Sequence, residues 1–235
     1  MKGRYSVPAY RRWIRTVLLW LGRTLFRILA LVEVKGLENI PTGIPYIIVF
    51  NHVSIYDPPF LLSFWPVQPE ILGAVELWSR PGQDILARLY KGIPIRRGEV
   101  DRDALDRALS VLASGLPLVF SPEGGRSHKP GLRRGKPGVV YLIDQSNVPV
   151  VPVGIVGTTD DFLSRAIRLQ RPVLRMRVGE PFRLPPLEES SSQPKEIRQQ
   201  RVDFIMEKLA GLLPAAYQGV YEHLDSEPVS PAPVA

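Results

Sequence analysis

The sequence predicts a single α/β layered domain led by a basic amphipathic helix, and three observations carry that prediction. Short β-like runs alternate with stretches of helical spacing along most of the 235 residues. The composition, 45% hydrophobic and 23% charged, is that of an ordinary globular chain and excludes disordered, collagen-like and coiled-coil classes. The surplus positive charge is local. Residues 1–35 hold Lys2, Arg4, Arg11, Arg12, Arg15, Arg23, Arg27 and Lys35 against Glu33 alone, and the rest of the chain carries 22 charges of each sign. A formal charge of +7 spread over the chain would suggest a nucleic-acid partner, whereas a neutral body does not.

Taken in order, the first element is a helix. With Arg12 set at zero on a helical wheel, Arg11, Arg15, Thr16, Arg23 and Arg27 fall in one sector of about 160°. Trp13, Ile14, Val17, Leu18, Trp20, Leu21, Leu25, Ile28, Leu31 and Val32 fill the other side, with Leu19 and Phe26 as apolar residues out of place. Arginine on one face with Trp and Leu on the other is the composition of a helix lying in a bilayer interface, its cations among anionic headgroups. An amphipathic helix packed on its own domain is the alternative. Two tryptophans and charge of one sign exceed what core packing requires. The stretch 17–32 is too short and too charged for a membrane span, and Arg23 and Arg27 break the run that a signal peptide needs.

Strands are expected at 32–35, 46–50, 71–75, 92–95, 117–120, 148–156 and 173–178, and helices at 58–64, 81–90, 101–115, 136–145 and 195–213. Asp101 and Asp103 suit the start of the third of these helices. Residues 187–194 read as a polar linker and 226–235 as disordered. The organisation expected is an N-terminal helix over 1–31, an α/β domain over 32–214 and a partly disordered tail over 215–235. Absence of cysteine removes disulfides and thiol chemistry, three histidines leave little for a metal site, and 24 prolines stiffen the loops.

Three places at strand ends carry chemistry. The first is NHVSIYD at 51–57, directly after the apolar run YIIVF. Residues five apart on one continuous helix stand about 140° apart, so His52 and Asp57 meet only if 52–56 bend. Asp57 followed by Pro58 and Pro59 reads as an N-cap with proline in the first turn. A His whose far nitrogen is held by a carboxylate is a general base with fixed tautomer. The bland alternative is that Asp57 caps the helix while His52 bonds a loop carbonyl. No Gly-x-Ser-x-Gly elbow is present, so the hydroxyl to be activated belongs to a substrate. The second place is FSPEGGRS at 120–127, where two glycines expose backbone N–H groups and Arg126 offers a fork for phosphate. The third is GIPIRR at 92–97, a strand ending in paired arginines. A tight turn and a charged strand end are the corresponding plain readings.

In this order the motifs resemble those of the glycerophospholipid acyltransferases, most of all the 1-acyl-sn-glycerol-3-phosphate acyltransferases. The likeness extends to VPVVPVGI at 148–155, VKGLENIP at 34–41 and GKPG at 135–138, covering about residues 32–180. It implies a layered α/β sandwich with a central β-sheet core on an interfacial helical anchor. It also implies His52 as base, Asp57 as its partner and Glu123 as an essential acid beside them. Arg97, Gly124, Arg126 and Ser127, with Arg96, would hold the acceptor phosphate, and Pro152 would shape the pocket. No metal or prosthetic group is implied. The chain departs from the family pattern at Gly125 in place of Thr, Arg96 in place of a frequent Asp, and Val75 in place of a Lys. The implied reaction moves an acyl group from acyl-CoA or acyl carrier protein to a lysophospholipid hydroxyl, on the cytoplasmic face of an anionic membrane surface and with no nucleic acid. A lipid or thioester hydrolase, another lysophospholipid or glycerol-phosphate acceptor, and a non-catalytic lipid-binding protein are the alternatives.

Overall fold

The computed structural model describes residues 5–184 and 194–222. Seven strands, β1 (Leu31–Lys35), β2 (Ile47–Phe50), β3 (Glu70–Ala74), β4 (Ile93–Ile95), β5 (Leu118–Phe120), β6 (Val150–Val156) and β7 (Val173–Val178), form a sheet of order β1-β7-β6-β2-β5-β3-β4. Neighbours from β6 to β4 run parallel, β7 is antiparallel to β6, and β1 is parallel to β7. Every expected strand is present, displaced by two residues at most. The central strands are apolar on both faces because both are covered. Along β2, Ile47 and Val49 face a core completed by α4 (Arg102–Ala113), α5 (Gly138–Ser146) and α7 (Pro194–Ala210). Ile48 and Phe50 face the opposite core, built with α1 (Ala9–Leu29) and α2 (Asp57–Phe64). The result is the expected layered sandwich.

The remaining helices are α3 (Gln83–Tyr90), α6 (Phe162–Ile167) and α8 (Ala215–Gln218). Helix α6 has six residues, too few to display a period, and the sequence reading has no counterpart for it. Asp101 caps α4, accepting from the Ala104 N–H at 3.1 Å. The linker expected at 187–194 lies outside the described residues except for Pro194, which begins α7. The boundary expected at 214 falls inside the fold. Residues 215–222 pack on the domain, with Tyr221 buried and its hydroxyl bonded to Asp203 at 2.8 Å. Residues 223–235 lie outside the described residues.

Helix α1 turns its apolar side outward, as an interfacial helix requires, but two of its arginines depart from the sequence reading by facing the domain instead of headgroups. Arg15, 2% exposed, forks onto the buried Glu70 carboxylate at 2.5 and 2.9 Å, donates from Nε to the Tyr90 carbonyl at 2.9 Å, and stacks on the Tyr90 ring. Arg23 Nε donates to the Ser63 carbonyl at 2.8 Å. Leu19 and Phe26, apolar residues on the polar side of the wheel, belong there because that side meets the core. Gly22 permits the approach to α2, since a Cβ there would stand 2.3 Å from Ser63 Oγ. Trp13, Trp20, Leu21, Leu25 and Ile28 are all exposed.

Candidate active site

Strand β2 ends by handing its ladder to a side chain. Asn51 donates Nδ2 to the Ile155 carbonyl at 2.8 Å and accepts the Ile155 N–H at 2.7 Å, so its amide replaces a strand residue beside β6. The backbone of His52 is thereby released from the sheet at the carboxyl end of β2, where open parallel sheets place their ligands.

Residues 52–57 then bend as the five-residue spacing requires. His52 Nδ1 lies 2.8 Å from Asp57 Oδ2, which also accepts the Ser54 N–H at 2.8 Å; the Thr158 hydroxyl donates to Oδ1. The Tyr56 N–H donates to Ser54 Oγ at 3.1 Å. Ser54 thus holds the bend at both ends, its N–H on the Asp57 carboxylate and its Oγ on the Tyr56 N–H. This corrects the reading of Asp57 as N-cap: Asp57 is the first residue of α2, and its carboxylate reaches back rather than forward. Since an ionised carboxylate only accepts, Nδ1 carries the ring proton and Nε2 is left as the basic nitrogen. Asp57 is fully buried, whereas His52 retains 13% exposure of its side chain.

Glu123 occupies a different place from a proton-transfer group. Its Oε1 accepts the His52 N–H at 2.7 Å and its Oε2 the Arg133 N–H at 3.0 Å. Burial pushes its pKa above the usual carboxylate range, opposed by those two bonds and the neighbouring Arg133 and His52. The buried carboxylate ties the His52 backbone to the loop that carries Arg133. Ser127 has a similar role, because its N–H donates to the His52 carbonyl at 2.8 Å and its hydroxyl to the Lys129 carbonyl at 2.6 Å.

Of the expected anion-binding residues, Arg97 and Arg126 converge. Desolvation lowers the Arg97 pKa, and the nearby guanidiniums of Arg126, Arg80 and Arg133 lower it further against the pull of Glu76. Positive charge in such excess over carboxylate suits an anion. Gly125 makes room for it: a Cβ there would stand 3.2 Å from Arg133 Nη2 and 3.4 Å from Arg97 Nη1. Gly124, with φ of +68°, lies against the Lys136 side chain. Arg96 is not part of the cluster. Adjacent residues at a strand end point to opposite sides, and Arg96 extends into solvent 3.9 Å from Glu99. Pro152 is also elsewhere, buried within β6 in register with Val49, three positions short of His52. Its carbonyl accepts from Gly179 where the β6–β7 ladder stops, so its missing N–H forfeits one bond at the ladder's end.

Thr158, Arg133 and Tyr217 were missed by sequence reasoning. Tyr217 Oη accepts the Gly157 N–H and its carbonyl accepts the Leu132 N–H, both at 3.0 Å. Gly157 precedes Thr158, and Leu132 precedes Arg133. The carboxy-terminal segment therefore braces the two loops that hold Asp57 and Glu123. Tyr217 carries no local signal at all. Among the described residues no cluster of three or more His, Cys, Asp or Glu side chains is placed to hold a metal.

Residues 31–156 match the family described as Acyltransferase. The 1-acyl-sn-glycerol-3-phosphate acyltransferase alpha of Mus musculus is 30% identical over 149 residues, 58% of this chain and 49% of that protein. The 1-acyl-sn-glycerol-3-phosphate acyltransferase of Borreliella burgdorferi is 26% identical over 138 residues, 58% of this chain and 55% of that one. This chain spans about half the length of these relatives. The crystal structure of the 1-acyl-sn-glycerophosphate acyltransferase PlsC from Thermotoga maritima shares the fold, with a TM-score of 0.62 at 23% identity over 90% of this chain and 82% of that one.

Proposed function

This chain belongs to the Acyltransferase family, and from that premise we propose that it transfers a fatty acyl group from a thioester to the free hydroxyl of 1-acyl-glycerol-3-phosphate, giving phosphatidate. The observation that carries the reading is the His52–Asp57 contact at 2.8 Å, which leaves Nε2 basic at a strand end neighboured by converging guanidiniums. In the forward step Nε2 takes the acceptor's hydroxyl proton as that oxygen bonds to the thioester carbonyl carbon. The carbon–sulfur bond then breaks, and the departing thiolate takes the proton back from the imidazolium. Asp57 stabilises the transient imidazolium and fixes its ring. Arg97 and Arg126, supported by Arg133, hold the acceptor's phosphate. Acyl-CoA or acyl carrier protein serves as donor.

The acceptor and product are lipids, so the enzyme works at a membrane surface. The outward side of α1 supports this, with Trp20 63% and Leu25 55% exposed. Helix α3, which contacts α1, adds Ile85, Leu86 and Leu89, also exposed. No helix among the described residues is long and apolar enough to cross a membrane, and contact is peripheral in this reading.

An acceptor screen tests the function. Purified protein with a labelled acyl thioester and a panel of lysophospholipids, read by lipid mass spectrometry, is expected to give labelled phosphatidate from lysophosphatidate with release of free thiol. Labelled fatty acid released at the same rate without acceptor would instead make the protein a hydrolase.

A further inference from the structure

Between α1, β1 and the far end of α2 runs a groove of about 390 Å³, lined by Arg23 and Arg27 and by Val32, Val34, Leu37 and Phe64. The two guanidiniums stack on the single Phe64 ring, at 5.9 and 5.5 Å from its centroid. Neither has a carboxylate partner among the described residues; Glu33, the acid of β1, is taken by Arg175 at 2.9 Å. A third guanidinium, Arg171, closes the end of α1 by donating to the Arg27 carbonyl at 3.2 Å. The groove thus joins uncompensated positive charge to aliphatic and aromatic walls, a combination that suits an anion carrying a hydrocarbon chain.

Its level relative to a membrane follows from the helical wheel. The outward face of α1 is centred near Val17, Leu21 and Ile28, with Arg27 about 100° and Arg23 about 140° round from it. With that face in lipid, Arg27 stands at headgroup depth, next to the exposed Trp20 whose indole suits the same boundary, and Arg23 lies one step deeper towards the domain, where its Nε meets the Ser63 carbonyl. The groove is separate from the proposed acceptor site. Asp57 opens α2, and Phe64 closes it about 10 Å further along the helix axis.

We propose that this groove binds one anionic glycerophospholipid of the membrane surface, its phosphodiester between Arg23 and Arg27 and one acyl chain along Val32, Val34 and Leu37. The proposal rests on the reading of α1 as an interfacial helix, and it makes the attachment lipid-selective rather than merely electrostatic. Titrating the full chain with dihexanoyl-phosphatidylglycerol below its micelle concentration, followed by NMR or calorimetry, tests the site without a bilayer. Saturable one-to-one binding is expected, at least tenfold tighter than for dihexanoyl-phosphatidylcholine. R23Q/R27Q should weaken it at least tenfold. So should L37W, which fills the groove from an exposed rim position and leaves the charge unchanged. R11Q/R12Q makes the same charge change elsewhere on α1 and should leave binding as it was. Absence of saturable binding, binding that survives L37W, or an equal loss in R11Q/R12Q overturns the proposal. Flotation on neutral phosphatidylcholine vesicles reports the α1 reading separately: flotation without short-chain binding removes the groove alone, and short-chain binding without flotation removes the interfacial helix alone.

Discussion

Helix α1 and the 51–57 loop pack on the same side of the sheet, and both bury charge, but they satisfy it by different means. In α1 the guanidinium of Arg15 meets the full opposite charge of Glu70, geometrically matched in two parallel bonds. In the loop the Asp57 carboxylate meets a histidine, a backbone N–H and a hydroxyl. The first arrangement is closed, since donor and acceptor neutralise each other and nothing is left to react. The second is open: three donors hold the carboxylate in place, yet one of them is a ring whose other nitrogen remains basic. A buried ion pair orients a helix, whereas a buried carboxylate bonded to histidine prepares a base.

Breaking the open arrangement should have the largest effect. General-base assistance is worth about 10²–10⁴ in rate, so His52→Ala should lower kcat on that scale in thermally stable, folded protein. Asp57→Asn keeps an oxygen for the Thr158 hydroxyl but loses the charge that stabilises the imidazolium, and should also cost at least about 10²-fold. Steady-state assays with circular dichroism on the same samples check both, and near-normal turnover by folded His52→Ala would end the base assignment.

Breaking the closed arrangement should cost stability instead. Arg15→Met strands the Glu70 carboxylate in the core and should destabilise by about 3–5 kcal/mol, while Arg15→Met with Glu70→Met should return to within about 1–2 kcal/mol of the parent. Chemical denaturation of the two variants measures the difference. A double variant as unstable as the single one would show that the pair is worth more than apolar packing can replace.

The same contrast explains what the sequence revealed. Strand positions were legible because Ile47, Ile48, Val49 and Phe50 are apolar on both faces, a local signal that parallel, doubly covered strands must carry. The His52–Asp57 bend was legible because the spacing forbids contact along one helix. The burial of Arg15 was not. The wheel groups Arg15 with cations suited to headgroups, and the residue that draws it inward, Glu70, lies 55 positions away. Leu19 and Phe26 were the local hint, apolar residues on the charged side that only a core contact explains. Arg96 and Arg97 were grouped as neighbours in sequence although a strand end sends them apart. Tyr217 was read as tail because nothing near it in sequence shows that its hydroxyl closes a loop 60 residues upstream.

Tyr217 gives the third prediction, which asks how far the open arrangement depends on its supports. Tyr217→Phe removes the acceptor of the Gly157 N–H, worth about 1 kcal/mol. Loss of that bond loosens the turn leading to Thr158 and hence the hold on Asp57. The expected outcome is a several-fold drop in kcat with the Michaelis constant for the lysophospholipid unchanged, because the arginine cluster is untouched. Equal changes in both constants would mean that the C-terminal segment braces the whole domain rather than the His52–Asp57 pair.

The smallest effect is a change of slope, and it concerns the other buried carboxylate of the site. Glu70 faces a guanidinium at 2.5 Å, but Glu123 relies on two neutral N–H groups, with the Arg133 Nε at 3.7 Å. Burial consequently dominates at Glu123 and raises its pKa above the ordinary value of 4.5. The native state then holds a proton at pH values where the unfolded chain has released it. The contribution of this group to stability is full below the ordinary carboxylate pKa and is lost as pH rises through the elevated native one. Glu123→Gln cannot titrate, so it removes that dependence while keeping one oxygen to accept the His52 N–H. Thermal unfolding of parent and variant from about pH 4 to pH 7 should show the parent's advantage shrinking as pH rises and then levelling. A difference that stays constant over the whole range would mean that Glu123 makes no pH-dependent contribution to stability.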